Sequence, residues 1–484
     1  MAAGTAESRM KRIEREQRQQ ARLLREQNRK PWKSYVLYMV YLIIVLTIIY
    51  IVDEIASAMN GSMQPLMIFD FFKVPGNNTD TPEYKGGATL MMALTFSSLL
   101  FMLLTPFYKA LADKLGRKLF LIVNTAMMGL GLLICFLAPH WAVYVLGILI
   151  VQFVQTNDVQ VIYIMETAPE KHRALLCNLT KAVALISVSL IGVLRNVFYD
   201  PAVPSSWHMV FLIPAIVGIV VGLACIFLIH ETPVFVKSRL EYLGMTDEER
   251  REKALQEKQK NGNAEGGVFA ALRFIFKTPQ LRRLCLAGFV FMIATGITGQ
   301  FSTLLERGKD LEQLTKESID SVMIIYPFVW GIVTFICGFL SDLMGRKSSS
   351  ILFNVIAVIG VAVFGLGIVN GWPVFVIAGG YGLFVGTLWS VSDTLCLVMP
   401  AESSPTAMRA SVMGTTSLLI GLGMVISTGI YMVAINFFPG ASLIWFAMGI
   451  TAVFIIASIF LLFRTSETKN ADLYTVGSGE DKDA

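Results

Sequence analysis

The chain alternates long apolar runs with short polar connections, and about a dozen runs reach the 20 or so residues that cross a bilayer. They fall near 34–59, 88–108, 119–138, 142–166, 175–197 and 208–230, then 284–304, 319–340, 350–369, 373–398, 411–436 and 442–463. A segment in lipid must satisfy its own backbone hydrogen bonds, so each run is predicted to be a helix. The pattern divides the chain into an N-terminal arm (1–33), six spans (34–231), a linker (232–283), six more spans (284–464) and a polar tail (465–484).

The polar connections repeat. Leu111-Ala-Asp113-Lys-Leu-Gly116-Arg117-Lys118 returns as Leu340-Ser-Asp342-Leu-Met-Gly345-Arg346-Lys347, each copy between two apolar runs. Glu166-x-x-Pro169-x-x-x-Arg173-Ala174 returns as Glu402-x-x-Pro405-x-x-x-Arg409-Ala410, and Glu231-Thr232 as Glu467-Thr468. Three markers in the same order at nearly one offset describe two related halves.

Composition agrees with lipid as the main solvent. Of 484 residues 55% are hydrophobic and 15% charged, with mean hydropathy +0.62, where a soluble chain carries about a quarter charged residues. A net charge of +5 does not suggest a nucleic-acid binder. Cys135, Cys177, Cys225, Cys285, Cys337 and Cys396 lie in or beside apolar runs without a CxxC pair, and read as small core residues. There is no signal-peptide core, no phosphate-cradling loop and no nucleophile–His set, so neither an enzyme, an ATP-driven pump, a metal site nor a cofactor is expected. Residues 8–30, dense in Arg, Lys, Glu and Gln, read as a solvated helix near anionic headgroups. Thr246-Asp-Glu-Glu249 reads as a capping box, residues Phe269 to Phe276 as a surface helix, and Asn77-Asn78-Thr79 as a glycosylation pattern. About 33 of the Lys and Arg residues fall in the arm, the motif loops, the linker and the tail, which puts that face and both termini in the cytoplasm of a plasma-membrane protein.

The duplicated Asp-x-x-Gly-Arg-Lys loop resembles the signature of the major facilitator superfamily, in its fuller form at Gly338-x-x-x-Asp342-x-x-Gly345-Arg346-Lys347. Tyr163-x-x-Glu166-x-x-Pro169 and the Glu402 and Glu467 motifs look like marks of its sugar-porter and organic-ion branches. The resemblance implies two six-helix bundles, pseudo-symmetric and all-α, rocking about a midplane site. It also implies a cytoplasmic gate at Asp113, Gly116, Arg117, Glu166, Arg173, Asp342, Gly345, Arg346, Glu402 and Arg409. Ordinary helix-end anchoring by the same charges is the alternative.

Charges inside the spans carry the remaining signal, because each costs several kcal/mol unless it meets a partner or water. Asp53 lies in span 1, where proton-coupled sugar porters resemble this chain and carry an aspartate; a carboxyl there is a candidate to load and release a proton. Glu54 is its neighbour, turned about 100° around the helix. The region Leu146-Gly147-Ile148-Leu149 has no arginine where the porters answer that acid, leaving Arg195 or Lys181 as substitutes or as snorkelling helix-end charges. Asp158 and Asp393 occupy matching depths in spans 4 and 10, facing either a cavity or a neighbouring helix. Gln152, Gln155, Asn157, Gln160 and Gln300 add amides that either line the cavity or tie helices together. Span 7 lacks the double glutamine of hexose porters, and Trp389 replaces their later tryptophan.

The expectation is a monomeric, proton-coupled secondary transporter of a small polar organic solute. The number of intramembrane acids tilts it towards a cationic or zwitterionic one. A sugar or polyol symporter and a non-transporting nutrient sensor are the alternatives.

Overall fold

The computed structural model describes residues 2–27, 35–97, 101, 104, 108, 111, 115–155, 159–167, 173–246, 248–252, 268–404 and 409–469. Among them, ten helices are long and apolar enough to cross a membrane. Spans 2 and 4 adjoin residues outside that description and are seen as Pro82–Ala93 and as Trp141–Gln155 with Val159–Thr167. Together these make the two sets of six.

Two spans are longer than their apolar runs. Span 1 is Tyr35–Phe71, 37 residues, about 55 Å at 1.5 Å per residue. The apolar run ends near Met59, before the polar residues Asn60, Ser62 and Gln64. Ser62 and Gln64 are instead buried and Pro65 lies inside the helix. Asp53 therefore sits at the middle of the helix. Span 7 is Pro279–Ile293 followed by Gly296–Asp310, passing Leu304 to take in four charged residues. It breaks at Ala294-Thr295, where Ser427 of span 11 donates to the Ile293 carbonyl at 2.5 Å. Span 10 (Val374–Asp393) continues through a π-helical turn, Thr394–Val398, into Met399–Glu402.

The halves repeat their packing as well as their motifs. Spans 3 (Arg117–Phe136) and 4 meet at Gly131 and Gly147, and spans 9 (Arg346–Val369) and 10 at Gly360 and Gly380. In each pair a methyl on the first glycine would lie 2.8 Å from the facing carbonyl, so small residues let the backbones touch. Among the described residues the halves meet chiefly at span 1 with 7, span 2 with 11, and span 5 (Arg173–Ser187 and Ser189–Phe198) with span 8 (Lys316–Met344).

The N-terminal helix, Ala2–Gln27, packs on a linker helix, Pro233–Gly244, not on headgroups alone. Leu23 buries itself with Phe235, Val236 and Leu243, and Arg250 pairs with Glu16 at 3.0 Å. A single apolar strip on the linker is enough to dock a largely charged helix. The capping box closes as its sequence suggests, Thr246 N–H donating to Glu249 Oε2 at 2.7 Å.

Candidate solute pathway

On the face where spans 3 and 9 begin, the three sequence echoes become two copies of one constellation. Gly116 (φ 111°) and Gly345 (φ 95°) turn the chain into these helices in a region closed to other residues. A Cβ at Gly116 would collide with the Glu231 carboxylate, and one at Gly345 would lie 2.6 Å from that of Glu467. The carboxylates need that space. Glu231 accepts the N–H groups of Arg117 (2.8 Å) and Lys118 (3.2 Å), and Glu467 those of Arg346 (2.7 Å) and Lys347 (3.1 Å), where anions suit a helix N-terminus. Arg117 pairs with Glu166 at 3.0 Å, and Arg346 with Glu402 at 3.3 Å and Asp342 at 2.6 Å. Thr232 and Thr468 donate to the second oxygens of Glu166 and Glu402 at 2.5 and 2.6 Å. Each of these pairs lies inside one half. Arg173 and Arg409 open their helices, while Asp113 lies outside the described residues.

Among the described residues, most charge contacts between the halves lie on the opposite, far face. Arg195, at the end of span 5, is held between Glu306 of span 7 (2.6 Å) and Asp320 of span 8 (2.7 Å), all three side chains 1% exposed. Lys309 and Lys316 complete the set at 2.6 and 3.1 Å. Arg307 pairs with Asp80, whose carboxylate also accepts the Gly440 N–H at 2.7 Å. Asp310 accepts the Thr79 N–H at 2.9 Å, so Thr79 of the glycosylation pattern is buried in this seam. Burial pushes the Asp80 carboxyl up, but Arg307 and the backbone donor outweigh it and hold it below the usual range. Arg195, read from sequence either as a partner for Asp53 or as a snorkelling helix end, is instead taken up by Glu306 and Asp320. Glu306, Arg307 and Asp320 were not singled out in the sequence.

Between these faces lie the polar groups of the interior. Asp53, 7% exposed, accepts a hydrogen bond from Gln160 Nε2 at 2.6 Å, so the amide of span 4 stands beside the acid. Glu54, half-buried, is within electrostatic reach of Tyr326 on span 8. Lys181 pairs with Asp393 across the halves at 2.9 Å, their side chains 31% and 50% exposed. A charge this deep in a span is tolerated when it has a partner and reaches water, and this pair has both a partner and accessible surface, as expected of a cleft between the halves. Gln155 is exposed and Gln152 accepts from Ser97 at 2.8 Å; Asn157 and Asp158 lie outside the described residues.

A small pocket of about 90 Å³ opens where spans 1, 2, 7 and 11 converge on the span 7 break. Its polar lining includes Asn60, Gln64, Thr295, Gln300 and Thr428, with Met91, Met92 and Met424 as apolar walls. Asn60 is seven residues from Asp53, two turns along one face of span 1. Of the amides, only Gln300 is a candidate from sequence; Asn60 and Gln64 lie beyond the apolar run of span 1.

The profile of the Major Facilitator Superfamily matches residues 46–428. The chain belongs to the major facilitator superfamily. It is a multi-pass membrane transporter of a small-molecule solute, not an enzyme. Among superfamily members of known role, it is 22% identical over 384 residues to the glucose transporter GlcP of Staphylococcus epidermidis, covering 75% of this chain and 82% of that one. The crystal structure of a D-xylose–proton symporter superposes with TM-score 0.65 at 17% identity, covering 89% of this chain and 99% of the other. The inward-open xylose transporter XylE of E. coli superposes with TM-score 0.61 at 16% identity (91% and 99%), and the nucleoside transporter NupG with 0.58 at 14% (87% and 99%).

Proposed function

We propose that this transporter moves a small neutral polyhydroxylated solute, a monosaccharide or polyol, together with a proton. The observation that carries the solute class is the pocket at the span 7 break: its lining holds amides, hydroxyls and methionines and no charged side chain. A cationic solute finds no carboxylate there and a zwitterion neither partner, so the tilt towards charged solutes is given up. The threonine protons are spent on their own helices, Thr295 to Met292 (2.7 Å) and Thr428 to Met424 (3.0 Å), and Asn60 Oδ1 already accepts from Tyr144 at 2.9 Å. What the pocket offers is a mixture of acceptor oxygens and amide donors, which hydroxyl groups match because each both donates and accepts. The glucose and xylose relatives point the same way.

Asp53 is the proposed proton carrier. It lies at mid-membrane depth against a neutral amide, two turns from the pocket, where a change of charge is felt by the solute site. Positive charge on the motif face assigns that face to the cytoplasm. The cross-half charge cluster then closes the outside while the Lys181–Asp393 cleft opens inward. Alternation requires that cluster to break, whereas the Arg117–Glu166 and Arg346–Glu402 pairs brace each half at the cytoplasmic rim, where the gate is proposed to work.

Purified protein in proteoliposomes tests this with labelled D-xylose and D-glucose under an imposed pH gradient, with choline and glycine as competitors. Sugar accumulation that follows the gradient and resists both competitors is the expected result. Uptake of choline in place of either sugar would overturn the solute class, and saturable sugar binding without flux would make the chain a sensor.

A further inference from the structure

Three glycines line the pocket, and the protein itself needs only one of them. A Cβ at Gly296 would run into the Ser427 side chain and lie 3.0 Å from the Tyr431 ring, so that glycine lets spans 7 and 11 touch. At Gly61 of span 1 and Gly299 of span 7, a Cβ meets no atom within 4 Å. Neither residue has a positive φ, so neither backbone shape nor packing demands glycine. In a helix interior alanine is the better residue at both positions. Open glycines also occur at Gly379 and Gly449, so openness alone decides nothing. What sets this pair apart is Gln300, next to Gly299 and lining the same pocket. It is 7% exposed, and its Oε1 is buried with no hydrogen-bond partner. A buried carbonyl left so is open to a donor from outside the chain, a water or a solute hydroxyl. Gly61 stands on the facing element at the same seam, its carbonyl accepting from Ser302 of span 7 at 2.5 Å.

We propose that Gly61 and Gly299 set the size limit of the solute site, keeping clear the volume that a monosaccharide ring fills when one of its hydroxyls donates to Gln300. This rests on the neutral-polyol reading above and adds to it the residues that decide how large the solute is. Specificity then comes from removed side chains on two helices belonging to different halves, so the free volume is assembled only where spans 1 and 7 approach.

Gly61→Ala, Gly299→Ala and the double variant test it, with labelled glycerol, D-xylose and D-glucose as probes of increasing size in proteoliposomes. Each added methyl is expected to raise KM for glucose by about tenfold or more. KM for glycerol stays unchanged, and the double variant separates the two further. Thermal stability is expected to hold or rise, since helix propensity improves and no atom is displaced. If the wild type carries the sugars and the variants keep its glucose-to-glycerol ratio, the size limit lies elsewhere and the inference falls alone. If the wild type carries neither sugar, the polyol reading falls and takes the inference with it. A drop in melting temperature with a uniform loss for all three probes would show the glycines to be structural and overturn it as well.

Discussion

At the residue scale, neighbours in sequence meet different surroundings. Asp53 meets Gln160 of its own half, while Glu54, turned by the 100° step between helix residues, is less buried than its neighbour. The two capping glutamates differ in a similar way. Burial pushes the Glu231 carboxyl above the usual range despite the N–H groups of Lys118, Thr232 and Arg117. At Glu467 burial also raises it, but the backbone donors of Lys469, Arg346, Thr468 and Lys347 outweigh that and hold it low. A depressed carboxyl contributes stability above the usual carboxylate range and loses it as pH falls through its folded value. A raised one contributes below that range and loses it as pH rises. Glu467→Gln is therefore expected to lower the melting temperature near pH 8, by the equivalent of about 1 kcal/mol for a lost helix cap, with the difference fading near pH 4. Glu231→Gln is expected to leave it unchanged or raised near pH 8. Thermal unfolding in detergent at both pH values checks this, and an equal loss from both variants at pH 8 would contradict it. The motif charges were legible because they occur twice, and a duplicated charge in an apolar chain has a reason. Glu306 and Arg307 were not, because charges after an apolar run read as the start of water. Arg195 looked like a snorkelling end, and only the meeting of spans 5, 7 and 8 shows otherwise.

At the scale of elements, apolar runs located the spans well and their polar ends poorly. Span 1 outruns its apolar stretch because Ser62 and Gln64 are buried against protein, a fact of tertiary packing that a hydropathy pattern does not contain. The break in span 7 was equally hidden, since Thr295 and Gly296 are ordinary in a helix until Ser427 arrives from span 11. The arm shows the reverse case: a charged helix read as solvated is tethered by one buried leucine and by the Arg250–Glu16 pair. Leu23→Asp removes about 2 kcal/mol of apolar burial and is expected to undock the arm. Hydrogen exchange of Pro233–Gly244 is then expected to quicken about tenfold or more, read by mass spectrometry; unchanged protection would show that the arm contributes nothing to holding the linker helix.

At the scale of the whole molecule, one face is closed by charges that cross between halves and the other is entered by a wet cleft. Twinned motifs gave away the two-bundle plan, but the far-face cluster has no internal echo and so left no repeat to notice. Removing Arg195 takes away the charge shared by Glu306 and Asp320 and leaves each with one partly exposed lysine, Lys309 or Lys316, at a cost of up to about 3–5 kcal/mol to the closed far face. Arg195→Ala is expected to raise the reactivity of a cysteine placed at Thr303 towards a membrane-impermeant reagent added from outside. Combining it with Glu306→Gln and Asp320→Asn is expected to restore protection; unaltered reactivity in Arg195→Ala would show that the cluster does not hold that face shut. The central claim, a proton carried by Asp53 and coupled to a neutral solute, meets its most direct test in Asp53→Asn proteoliposomes assayed two ways with labelled D-xylose. Counterflow exchange is expected to persist while accumulation against a concentration gradient is lost. Accumulation driven by the pH gradient at the wild-type level in Asp53→Asn would contradict the account.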